Sequence, residues 1–144
     1  MSERIAIVSG YFNPLHVGHL RMMVAASELG DRLLVLVNND EQQVLKKGKV
    51  IQNVGDRLEI VRALRVVDEA RPTLDTDATV IASLRAVRES FPDAELVFAN
   101  GGDRPLGNVP ELPTCQELGI AMEFGVGGEE KADASSRINE LLGR

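Results

Sequence analysis

Ser9-Gly10-Tyr11-Phe12-Asn13-Pro14-Leu15-His16-Val17-Gly18-His19 is the stretch on which the reading of this chain turns. Before it stands Arg4-Ile5-Ala6-Ile7-Val8, a short β-branched run that reads as a buried first strand. After it, Val17 to Leu29 carries apolar residues at helical spacing, with Gly30 as a stop. A strand that turns directly into a helix presents backbone N–H groups and a partial positive charge at the turn, and both favour phosphate. His16 and His19, the chain's two histidines, are three residues apart and so share one helical face. Gly10 permits close backbone approach, Gly18 leaves room between the rings, and Pro14 sets the turn into the helix.

Outward from this segment the chain alternates strand and helix. Arg32 to Val37 is a nearly continuous apolar second strand, of the kind found in a parallel sheet covered on both faces. Residues 38–54 read as polar and irregular, Asp56 to Leu64 as a helix, and Val66 to Ala70 as a third strand. Asp77 to Ser90 reads as a helix capped by Thr76 or Asp77, and Glu95 to Ala99 as a fourth strand. A short helix from Pro110 to Leu118 closes at Gly119, Ala121 to Val126 is a fifth strand, and Ala134 to Leu142 a terminal helix. The expected fold is one α/β, Rossmann-like, doubly wound domain over residues 1–144 with about five parallel strands. In such sheets the ligand sits beyond the carboxyl ends of the strands. That places the loops 9–19, 38–49, 100–108 and 125–136 around one site.

Composition narrows the ligand. The 144 residues are 44% hydrophobic and 26% charged, ordinary for one globular domain. No apolar run reaches the length of a membrane span, and the start does not read as a signal peptide, so a cytoplasmic protein is expected. The single cysteine, Cys115, has no partner for an internal disulfide, which fits a reducing compartment. The net charge of −6 argues against nucleic acid. The local positive charge of Lys46-Lys47-Gly48-Lys49 points instead to a small anion.

Each candidate residue has a plain reading beside the functional one. His16 and His19 donate from their rings to phosphoryl oxygens, or lie idle on a helix surface. Metal ligation is permitted by spacing, but no cysteine or carboxylate cluster stands beside them. One of Lys46, Lys47 and Lys49 reaches the triphosphate or the acceptor's phosphate, or the three lysines form a solvated charge run. Arg57 takes part in the site, or is a helix-surface or capping arginine. Gly101 and Gly102 let the backbone approach a base or ribose, and Asp103 accepts from a ribose hydroxyl or helps hold Mg²⁺ indirectly. The alternative is a tight turn with Asp103 as a cap. Ser135 and Ser136 bind phosphates at a helix start, or form an ordinary N-cap.

Gly10 to His19 resembles the G-x-F-D-x-x-H-x-G-H motif of the cytidylyltransferase-like nucleotidyltransferases. The later segments are similar in order to those of glycerol-3-phosphate cytidylyltransferase and the heptose-phosphate adenylyltransferases. These segments are Asn38-Asn39-Asp40, Lys46 to Lys49, Asp56-Arg57, Arg65-Val66-Val67-Asp68 and the Gly-Gly-Asp turn. Two departures stand out. Asn13 replaces the usual aspartate, as in some adenylyltransferases. The arginine that precedes the serines in relatives is missing, leaving Lys131 or Arg137 to serve. The resemblance implies transfer of a nucleoside monophosphate from an NTP to a small phosphate- or phosphonate-bearing acceptor, with release of pyrophosphate. CTP is favoured as donor, and ATP is the alternative. Mg²⁺ rides mainly on the triphosphate. His16, His19, Lys46 and Lys49 are the implied catalytic set. Gly10, Tyr11, Phe12, Asn13, Gly18, Gly101, Gly102, Asp103, Arg104, Lys131, Ser135 and Ser136 are implied to bind the nucleotide with the two histidines. A homodimer is implied as well. A reading of another class is a non-catalytic nucleotide-binding regulatory module.

Overall fold

The apolar runs of the sequence form the middle layer of a three-layer sandwich. The structure, a computed structural model, describes residues 3–101 and 109–127. Five strands, β1 (Arg4–Gly10), β2 (Arg32–Val37), β3 (Glu69–Pro72), β4 (Glu95–Gly101) and β5 (Ile120–Val126), pair in parallel in the order β3-β2-β1-β4-β5. The helices are α1 (Val17–Ser27), α2 (Asp40–Lys47), α3 (Val54–Arg62), α4 (Ile81–Ser90) and α5 (Leu112–Leu118). Among the described residues no helix is long and apolar enough to cross a membrane.

Alternation along the central strands β1 and β2, covered on both faces, explains why their buried runs are hydrophobic throughout. Ala6, Val8, Leu33, Val35 and Val37 face one side, where Met23 and Ala26 of α1 and Leu58 and Val61 of α3 cover them. Ile5, Ile7, Leu34 and Leu36 face the other, under Leu84 and Val87 of α4 and Cys115 of α5. The strand order runs outward from β1 in both directions, so the topology reverses between β1 and β4. A crevice at the carboxyl ends of those two strands is where such a fold holds its ligand.

Some boundaries differ from the sequence expectation, each for a local reason. The third strand begins at Glu69 instead of Val66. Val66 and Val67 pack against the α1–α3 core in a turn, and Asp68 pairs with β2 from outside the strand. Its N–H donates to Leu33 O at 3.0 Å, and its Oδ2 accepts from Leu33 N at 2.8 Å. The helix expected from Asp77 begins at Ile81. Asp77 turns back on Thr79, accepting from its N at 2.9 Å and its Oγ1 at 2.7 Å. The first amides of α4 are met from further upstream, by Asp75, which accepts from Ala82 N at 2.7 Å and Ser83 N at 3.1 Å. Gly30 does not end α1, whose C-cap is Glu28. It is small because Arg4 passes beside it: a Cβ there would lie 2.8 Å from the Arg4 carbonyl oxygen.

The largest difference is α2, in a stretch that reads as irregular. Its signals are caps and not an apolar stripe. Asn39 accepts from Gln42 N at 2.9 Å, the Gln42 side chain answers at Asn39 N, and Gly48 closes the helix at φ 78°. The inward side of α2 is polar. Gln42 and Gln43 are both fully buried.

Candidate active site

The β1–α1 turn is held from below. Phe12 is buried in a left-handed conformation, φ 52°, and its ring swings back under Gly10, where a Cβ would meet Phe12 Cζ at 2.7 Å. The close approach that Gly10 allows is therefore made by Phe12 and not only by a ligand. The Asn13–Pro14 peptide is cis. Asn13 is buried and donates from Nδ2 to Gln43 Oε1 at 2.8 Å. That oxygen also accepts from Ile51 N at 2.9 Å and Gln52 N at 3.3 Å, so the partner facing Asn13 is an acceptor. Phe12 and Asn13, expected at the nucleotide, support the turn from inside.

His16 and His19 open α1 and stack on each other, ring centroids 3.8 Å apart and planes 28° off parallel. They cap the helix as a pair. His16 Nδ1 accepts from Gly18 N at 3.1 Å, and His19 Nδ1 accepts from His16 N at 3.2 Å. With both Nδ1 atoms accepting, each ring carries its N–H on Nε2. Gly18 is thus part of the pair through its amide. Phe12 meets His19 edge to face at 5.0 Å. Burial, then the charges of His16 and Lys46, push His19 down to about 4, so it is neutral at physiological pH.

The lysines separate. Lys46 lies in the last turn of α2, its Nζ 4.5 Å from the centre of the Tyr11 ring, and its charge reaches His19. A cleft of about 470 Å³ opens beside it, lined among others by Ser9, Gly10, Tyr11, Asn38, Lys46 and Glu111. Lys49 lies beyond Gly48, exposed, and does not line this cleft. Lys46 and Lys47 are helical, a correction to the loop expected there.

Arg57 is neither a surface nor a capping residue. Its side chain is fully buried beneath the site. Nε donates to Gln52 O at 2.8 Å, and Nη1 donates to Tyr11 O at 2.8 Å and Asn38 O at 2.6 Å. Nη2 donates to Asp40 Oδ1 at 2.9 Å. One guanidinium thereby ties the β1–α1 turn, the end of β2 and the start of α2 into one unit. Burial lowers its pKa and Asp40 opposes that, which leaves it cationic.

Gly101 ends β4 with open space where a Cβ would stand. Gly102, Asp103, Arg104, Lys131, Ser135, Ser136 and the expected terminal helix lie outside the described residues. Three residues went unseen in the sequence: the buried pair Gln42–Gln43, and Glu111, which is 2% exposed yet lines the cleft. The Asn39–Gln42–Gly48 pattern was the available signal for α2. Cys115 is no candidate nucleophile, since burial and then Glu111 push its thiol up to about 11. Among the described residues, no three His, Cys, Asp or Glu side chains are grouped to hold a metal ion.

A stacked histidine pair at a helix start, at the topological reversal of a parallel sheet, matches the sequence motif in space. The family comparison decides the matter: the family described as cytidylyltransferase-like matches residues 7–117. The chain belongs to the cytidylyltransferase-like nucleotidyltransferase family. It is 45% identical over 118 residues to FAD synthase of Pyrococcus abyssi, covering 81% of this chain and 75% of that protein. It is 35% identical over 104 residues to the bifunctional protein HldE of Sodalis glossinidius, covering 70% of this chain and 20% of that protein. The fold is that of a bifunctional NMN adenylyltransferase/ADP ribose pyrophosphatase from Francisella tularensis. That likeness has a TM-score of 0.71 at 11% identity and covers 97% of this chain and 41% of that one.

Proposed function

We propose that this nucleotidyltransferase is an adenylyltransferase: it moves AMP from ATP to the phosphate of a small acceptor, and FMN is the acceptor to try first. The observation that carries this reading is the 45% identity to a protein named for making FAD, a molecule in which AMP is joined to FMN. CTP, the donor favoured by the sequence pattern alone, has less support. Asn13 beside Pro14 agrees with ATP.

In this reading magnesium enters with the triphosphate as part of the substrate. A non-bridging oxygen of the acceptor phosphate attacks the α-phosphorus in line. The bond from that phosphorus to the bridging oxygen breaks, and pyrophosphate leaves with the electron pair. The chain's residues position and neutralise. The two Nε2–H groups of His16 and His19 donate to oxygens on which charge grows, and neither ring acts as a nucleophile. Lys46 neutralises phosphate at the cleft. Gly101, Gly102, Asp103 and Arg104 approach the nucleoside, and Lys131, Ser135 and Ser136 the outer phosphates. Lys49 is left without a catalytic part in this scheme. A homodimer belongs to the same reading and is checked by a solution mass of twice 15.6 kDa.

Pyrophosphate release from ATP and from CTP, each with FMN, glycerol 3-phosphate and a sugar 1-phosphate, tests the proposal. Release from ATP with FMN is expected. Release from CTP alone would restore the first expectation. Nucleotide binding with no release from any pair would make the chain a regulatory module.

A further inference from the structure

Lys46 and Tyr11 meet across two elements that are each held in place. Tyr11 stands in the β1–α1 turn, its carbonyl oxygen accepting from the buried Arg57 at 2.8 Å. Its hydroxyl donates to the carbonyl of Gln42 at 3.4 Å, so the half-buried ring lies along α2. Lys46 stands one turn further along that helix, which is capped at Asn39 and Gly48, and its Nζ is 4.5 Å from the centre of the ring. Both residues line the cleft. The face of an aromatic ring is negative and attracts an ammonium. Burial raises the Tyr11 pKa, against the opposing charge of Arg57, so the phenol is neutral at physiological pH. A carboxylate would hold the ammonium by cancelling its charge. A neutral ring holds it and leaves the charge to act on a phosphate. Lys46 is exposed, on a long flexible stem, and without a seat its charge would be spread over directions that miss the cleft.

We infer that Tyr11 is a positioning residue for Lys46: the face of its ring is the seat that keeps the Lys46 ammonium at the cleft and near the histidine pair. The inference rests on the adenylyl-transfer reading for what the ammonium does there. It gives the Tyr11 side chain a part that acts through Lys46 and not on the substrate. The ring is the working part, and the hydroxyl only lays it along α2.

A double-mutant cycle tests this: Tyr11→Leu, Lys46→Met and the two together, with Tyr11→Phe as the conservative variant. Each is read twice, by the rate of pyrophosphate release from ATP and FMN and by the NMR titration midpoint of the His19 ring. The midpoint reports where the ammonium is, because the charge of Lys46, after burial and the charge of His16, helps hold it at about 4. Lys46→Met is expected to lower the rate and raise the midpoint. Tyr11→Leu is expected to move both the same way, the rate falling roughly two- to fivefold. Tyr11→Phe, which keeps the ring face, is expected to recover most of that loss. In the Lys46→Met background Tyr11→Leu is expected to change neither readout further. Additive losses would overturn the inference, since a ring that touches substrate or only supports the fold works without Lys46. So would a Tyr11→Phe variant as slow as Tyr11→Leu, or a wild-type His19 midpoint in Tyr11→Leu. The midpoints need no turnover. A coupled shift with no release from ATP would leave the seat standing and sink adenylyl transfer. Release from ATP with shifts that add would do the reverse.

Discussion

At the scale of single residues, Asn13 shows how a departure from a motif is explained by its neighbour. Gln43 Oε1 already accepts from two backbone amides, so the side chain facing it must donate. Asparagine donates and aspartate does not. Asn13→Asp would set two acceptors against each other in a buried place and is expected to cost about 1–3 kcal/mol, read from urea unfolding midpoints. The sequence could show that residue 13 is unusual. It could not show why, because Gln43 is thirty positions away. His19 gives a pH effect whose sign follows from burial. The folded ring is held down to about 4, below the ordinary value near 6.5. The unfolded chain therefore takes up the proton first as pH falls. Stability linked to His19 is intact above about pH 6.5 and declines as pH drops toward 4. An NMR titration of the ring should show its midpoint near 4, and a midpoint near 6.5 would show that the ring is not buried as described.

At the scale of elements, Arg57 makes three segments behave as one. Its replacement by alanine would leave Asp40 and the carbonyls of Tyr11, Asn38 and Gln52 without their common donor. The expected loss of stability is about 3–5 kcal/mol, measurable by denaturant titration. Lysine cannot rescue it, since a single ammonium lacks the planar fork that reaches four oxygens. Near-wild-type stability of Arg57→Lys would refute the clamp. β1, β2 and β4 were legible because a strand buried on both faces must be apolar along its length, and β5, an edge strand with Ile120 buried, was legible from its β-branched and aromatic residues after Gly119. α2 was not, because its inner face is made of glutamines whose partners come from other elements. Gln42 Nε2 bonds the carbonyls of Asp77 and Thr79, each at 2.8 Å. An apolar period cannot reveal a helix packed through hydrogen bonds. The same cause hid the place of Lys46: as a loop residue it had no fixed direction, and as a last-turn residue of a capped helix it points at Tyr11.

At the scale of the whole molecule, the strand order puts the histidine turn where the topology reverses, and Arg57 and α2 bring the cleft beside it. The histidine pair was legible as one cluster at a helix start because both rings lie within a few residues of one another. Glu111 was not legible as a cleft residue, because it comes from the segment between β4 and α5, far along the chain from the histidine turn. The central claim is that adenylyl transfer takes place at His16 and His19. It is tested most directly by the rate of pyrophosphate release from ATP with FMN in His16→Ala, compared with wild type under saturating ATP. Loss of one transition-state donor should lower the rate by about 10²-fold or more, with ATP still bound. An unchanged rate would contradict the claim.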